Sequence, residues 1–104
     1  MIVSTTDSIP GREIDEILGL ARGNVVRTKH IGRDIQAALR SLVGGEVGGY
    51  TEMLSEAREH ATRLMIRDAE DLGADALVNI RYTTSAVASG MSEILAYGTA
   101  VRLR

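Results

Sequence analysis

The chain has 104 residues, 44% hydrophobic and 25% charged, the composition of one soluble globular domain spanning residues 1–104. Twelve Lys and Arg against fourteen Asp and Glu leave a net charge of −2 with the signs interleaved, so no basic stripe addresses the phosphates of a nucleic acid. No apolar run approaches the roughly 20 residues that span a bilayer, the opening MIVSTTDSIP lacks the regions of a signal peptide, and there is no cysteine; the expectation is a cytoplasmic protein without disulfide or thiolate chemistry.

Residues 2–5 form a short β-type run, and residues 7–11, with the only proline at Pro10, read as a turn. Residues 13–26 carry Ile14, Ile17, Leu18, Leu20, Val25 and Val26, interrupted by Gly19 and Gly23. The β-branched tail and the two glycines predict a strand bent or bulged at a glycine, with a helix over 13–20 as the alternative. Ile31, Ile35, Ala38, Leu39 and Leu42 recur at helical spacing, which predicts a short helix over 32–43 that stops at Gly44. Four glycines in the next six residues allow a tight reversal.

A long amphipathic helix is predicted over 50–72, roughly 33 Å at 1.5 Å per residue. Tyr50, Met53, Leu54, Ala57, Ala61, Leu64, Met65 and Leu72 share one face, and Glu52, Glu56, Glu59, Arg63, Arg67 and Glu70 lie opposite. Glu59 and Arg63 are spaced for an i,i+4 pair. Ile66 falls on the charged side, and with Thr62 and Ala69 it marks an expected second contact between subunits. Asp68 falls on the apolar side, where an unpaired carboxylate is costly, so it is expected to find a partner or to titrate; the alternatives are a helix end less buried than its phase suggests and a pair with an Arg across a subunit boundary. Gly73 ends the helix.

Residues 74–86 alternate, with Val78, Ile80 and Tyr82 on one face, expected to pack on the long helix. After a turn at 88–90, residues 93–103 alternate again, with Leu95, Tyr97, Val101 and Leu103 together, and the two strands make a hairpin. Half-polar strands predict an antiparallel sheet with one covered face. The order β-β-α-α-β-β places the chain in the α+β class, an antiparallel sheet covered by a short and a long helix.

Several segments in order carry a resemblance: Ser4-Thr5-Thr6, Leu18-Gly19 with Gly23, Arg33-Asp34, Gly44-Gly45, Tyr50, Ala57-Arg58, Leu72-Gly73-Ala74-Asp75-Ala76 and Gly98-Thr99-Ala100-Val101. Together they cover almost the whole chain, which resembles the YbjQ-like family of small bacterial proteins described as "putative heavy-metal-binding". The resemblance implies a dodecin-like α+β fold assembling as a ring, expected to be a pentamer, and no established activity. Composition argues for assembly on its own account. A domain this small buries only about two-thirds of its unfolded surface, and with three Tyr and no Phe or Trp it has few large side chains to bury.

The family description directs attention to metal ligands. Soft metals prefer thiolate and thioether, borderline ions imidazole, and this chain offers no Cys, two His and four scattered Met. His60 lies one turn after Glu56 and beside Glu59, so His60, Glu56 and Glu59 are the candidate ligands for a divalent metal ion, the remainder coming from a neighbouring subunit. The bland alternative is a solvated helix face. His30, beside Lys29, reads as a loop residue. The turn at 44–49 precedes a helix N-terminus but lacks the Lys and Ser/Thr of a phosphate cradle, and reads as a connection. No Ser or Thr sits in a nucleophile elbow and neither His has an orienting carboxylate in sequence. The expected function is a non-enzymatic, homo-oligomeric protein binding a small ligand or metal ion; the alternatives are a structural or interaction module and an enzyme with an intersubunit site.

Overall fold

The computed structural model describes residues 1–28, 48–88 and 91–104. The expected helix over 32–43, His30, most of the glycine-rich turn and the centre of the hairpin turn lie outside the described residues. Within them the chain forms β1 (Ile2–Val3), β2 (Ile14–Thr28), α1 (Gly48–Asp71), β3 (Ala76–Ala88) and β4 (Met91–Leu103). The sheet order is β1-β3-β4-β2, with one long helix on it. This is a small α+β fold, as expected.

The sheet is mixed rather than antiparallel. β1 runs parallel to β3, Ile2 opposite Ala76 and Val3 opposite Leu77, while β2 and β3 both pair antiparallel to β4. The cause is the route of the chain between its first two strands. The expected turn is present: the Arg12 amide donates to the Ile9 carbonyl, with Pro10 and Gly11 (φ +79°) at the two central positions that favour them. It does not join neighbouring strands, because β1 and β2 sit on opposite edges. The connecting segment instead lays Ile9 on a cluster of Ala76, Val78, Val101 and Leu103.

β2 is one continuous strand with register shifts between Ile14 and Glu16 and between Ile17 and Gly19. Gly19 has φ +136°, so the expected glycine bulge is there. Helix α1 lies along β2 and β4 and barely reaches β3. Its buried stripe is Ala57, Ala61, Met65 and Ala69, one residue per turn and each fully shielded. Ala69 thus belongs to the core, and Ile66, half-buried, packs against its margin.

The strand faces differ from the expected ones in an informative way. On β4, Ile94, Ala96, Gly98 and Ala100 are buried in the half of the alternation that α1 covers, while Leu95 and Tyr97 stay half-buried on the other face. Beneath the helix this row is mostly small, Ala96, Gly98 and Ala100 beside Ile94, and the bulk of Leu95 and Tyr97 is left to the opposite face. On β3 the alternation breaks at Asn79, whose φ is +55°: Val78 pairs with Thr99 and Arg81 with Tyr97, so two residues face Gly98 alone. This bulge sends Leu77 and Ile80 to the helix side and Val78 to the second cluster. Tyr82, 45% exposed, lies outside the core and hydrogen-bonds the helix through its hydroxyl.

Candidate functional site

Among the described residues a groove lies on each flank of α1. The larger, of about 520 Å³, lies on the β3 side and is lined by Ser55, Arg58, Glu59, Thr62, Arg63 and Tyr82. The helix presents these residues because 55, 58, 59, 62 and 63 recur at three- and four-residue spacing on one flank of the buried stripe. The bulge at Asn79 brings Tyr82 to meet them. Thr62 Oγ1 and the Tyr82 hydroxyl are 2.8 Å apart, and the Thr62 hydroxyl also donates to the Arg58 carbonyl at 2.7 Å. The Arg58 guanidinium donates to Ser55 Oγ at 3.2 Å. Glu59 and Arg63 line the same groove without forming the expected ion pair. Among the described residues the ion pairs within 4 Å are those of Arg104 with Glu13 and Asp15, both solvent-exposed and worth little.

The smaller groove, about 300 Å³, runs along β2 between Arg22, Gly23, Asn24, Leu64, Arg67, Asp68 and Asp71. Here Asp68 finds the partner its position requires. Its Oδ2 accepts the backbone amide of Arg22 at 3.0 Å. Asp68 therefore caps an amide on the outer edge of the sheet, which is a structural task. The other aspartate that sequence reasoning passed over, Asp75, does similar work: its Oδ2 accepts the Leu103 amide at 2.8 Å and ties the end of the helix to the last strand.

The candidate metal ligands diverge. His60 is half-buried on the β2 side of the helix, with Nδ1 3.4 Å from Arg27 Nη2. Glu59 lines the β3-side groove, and both Glu56 and Glu59 are exposed. Among the described residues no three His, Asp or Glu side chains gather as a metal site. The Arg27 contact occupies one imidazole nitrogen and leaves Nε2. Among the described residues the hydroxyls of the larger groove bond to one another, to Arg58 and to a carbonyl, and none to a carboxylate or imidazole. That pattern can bind polar groups but contains no activated nucleophile. The Thr62–Tyr82 pair had no signal in sequence, since its members are twenty residues apart on different elements.

A family profile described as "Putative heavy-metal-binding", that of YbjQ, matches residues 1–104. A UPF0145 protein of Vibrio campbellii is 63% identical over 103 residues, covering 99% of both chains. One from Thermotoga maritima is 57% identical over 103 residues, covering 99% of this chain and 97% of its own. Among solved structures, a protein of unknown function from Pediococcus pentosaceus, assigned to the DUF74 family, superposes with a TM-score of 0.67. The match covers 100% of this chain and 98% of that one at 16% identity, which is a likeness of fold alone.

Proposed function

Since the chain belongs to the YbjQ family, we propose that it is a non-enzymatic, cytoplasmic homo-oligomer that binds a small ligand or a divalent metal ion, assembled as a dodecin-like ring of five subunits. The observation that carries the ligand reading is the larger groove, roomy and lined by guanidinium, carboxylate and hydroxyl groups with no nucleophile–base pair among them. Self-association is supported by apolar side chains left in solvent, chiefly Ile17 at 71% and Leu20 at 60% exposure. The radius of gyration, 17.3 Å, also exceeds the roughly 13 Å of a compact 100-residue domain. Native mass spectrometry of untreated protein tests both halves at once. The expected result is a fivefold multiple of 11.2 kDa with any retained ligand visible as added mass. A clean 11.2 kDa monomer in sedimentation at micromolar concentration overturns the assembly.

Any metal site in this reading is of imidazole and carboxylate type, because the chain has no thiolate. It uses His60 with Glu56, one turn before it, or His30, and completes its shell across a subunit boundary. Such a site favours zinc, nickel or copper over cadmium or mercury, and binding weakens in acid as imidazole takes up a proton. Calorimetric titration of metal-free protein is the check. Submicromolar mercury or cadmium binding that survives changing both histidines to alanine would show the site to be something else.

A further inference from the structure

The two outer edges of the sheet are treated differently. On β2, helix α1 packs over the face at Gly23 and caps one edge amide. Gly23 is pressed against the helix backbone, and Asp68 takes the Arg22 amide. On β3, among the described residues, the edge is covered as far as Ile80, whose amide donates outward to the Ser4 carbonyl at 3.1 Å. Strand amides alternate in direction, so those of Tyr82, Thr84 and Ala86 point the same way. They have no backbone partner among the described residues.

Residues 82–88, YTTSAVA, are all exposed, and they contain no charge, no proline and no glycine. Edge strands of monomers are ordinarily guarded by Lys, Pro, a bulge or a covering element, because bare ones pair with other chains. Among the described residues, β3 carries a bulge at Asn79 and a second register shift at Ala86/Ala88, and the stretch between them has no Lys, Pro or covering element. The edge also has a wall: the groove carrying Arg58 and Arg63 runs beside it, and Arg81 sits at its start. Against Arg58 and Arg63 the groove offers one carboxylate, Glu59, while the Arg81 guanidinium donates to the Thr5 and Ile80 carbonyls.

We infer that residues 81–88 of one subunit accept the first half of β2, residues 14–20, of a second copy as an added strand. This rests on the reading that the chain is a homo-oligomer, and identifies the surface that joins its subunits. The β2 segment is the complement of the β3 edge. It lies on the opposite edge of the sheet, pairs with β4 on one side only, with register shifts at Ile14/Glu16 and Ile17/Gly19, and precedes the Arg22 amide that Asp68 takes. It carries Asp15 and Glu16, with Glu13 just before it, where the β3 edge offers arginines. Its Ile17 and Leu20 are the most exposed large apolar side chains among the described residues, and the added strand removes them from water. Because the two edges are different, the contact is head-to-tail, and repeated copies close a ring when the rotation between them permits.

Thr84→Pro tests the edge with little harm to the fold. The amide it deletes points away from β4, and proline is tolerated on an edge with that orientation. The expected result is a folded monomer of 11.2 kDa with an unchanged circular dichroism spectrum, where the unaltered protein is an oligomer. An unaltered oligomer mass for Thr84→Pro overturns the inference and leaves the oligomer reading standing, whereas a monomeric parent protein overturns both. Cross-linking decides the occupant, and does so even if Thr84→Pro fails to fold. The chain has no cysteine, so Ile17→Cys and Thr84→Cys can be made singly and mixed. A short thiol cross-linker should join Cys variants of position 17 to those of position 84. Products joined only 84 to 84 or 17 to 17 would overturn the head-to-tail pairing.

Discussion

Gly23→Ala is expected to cost about 3 kcal/mol, the upper end of the usual range for forcing extra volume into a packed interior. A β-carbon built at Gly23 lands 2.6 Å from the Met65 backbone nitrogen and 2.7 Å from Leu64 Cβ, and also meets the Ala61 carbonyl oxygen. Two of these three atoms belong to the helix backbone, so no side-chain rotation relieves the contact. The helix must lift from β2, which loosens the Ala57, Ala61, Met65 and Ala69 stripe and stretches the bond from Asp68 to the Arg22 amide. Urea denaturation, comparing midpoints at constant slope, measures the loss. A change below 1 kcal/mol would mean that the helix does not approach the strand this closely.

The same close approach explains which parts of the fold could be read from sequence. The long helix, its stop at Gly73, the bulge at Gly19 and the hairpin of β3 and β4 all carry local signals: amphipathic period, a positive-φ glycine, alternation. Sidedness did not survive as well. Alternation correctly groups Leu95, Tyr97, Val101 and Leu103, but the expected packing of Val78, Ile80 and Tyr82 together on the helix fails, because the bulge at Asn79 sends Val78 to the second cluster. The parallel pairing of β1 had no local signal either, because a Pro-Gly turn looks alike whether it joins neighbours or lies across a face.

Of the candidate site, the helical phase of Asp68 was legible and its partner was not, since an edge amide leaves no mark in the side-chain alphabet. His60 and Glu59 are adjacent in sequence, yet one turns to β2 and the other to the β3-side groove. A hundred-degree step between consecutive helical residues makes neighbours in sequence poor co-ligands unless both sit near the same seam.

Ile80→Ala is expected to cost about 3–5 kcal/mol, toward the upper part of the range for truncating a buried aliphatic side chain. The bulge at Asn79 gives this residue its place. Without the extra residue the alternation would send position 80 to the face where Ile9 lies, and Ile80 instead joins the cluster under α1 at 5% exposure. It packs over Gly98, on which an added β-carbon would come within 3.1 Å of Ile80 Cγ1. The cost is high because the cavity has little to fill it. Ala21, Ala57, Ala61, Ala69, Ala96 and Ala100 dominate the cluster, and none of them has a side chain that can swing into vacated space. A shallow site that collapsed freely would lose only the transfer term, about 0.8 kcal/mol per methylene. Denaturant melts giving less than half a kcal/mol would place Ile80 on an open face and remove the bulge as the device that sorts β3. A loss near 4 kcal/mol, reached with unchanged oligomer mass, ties the stability of the subunit to that single inserted residue.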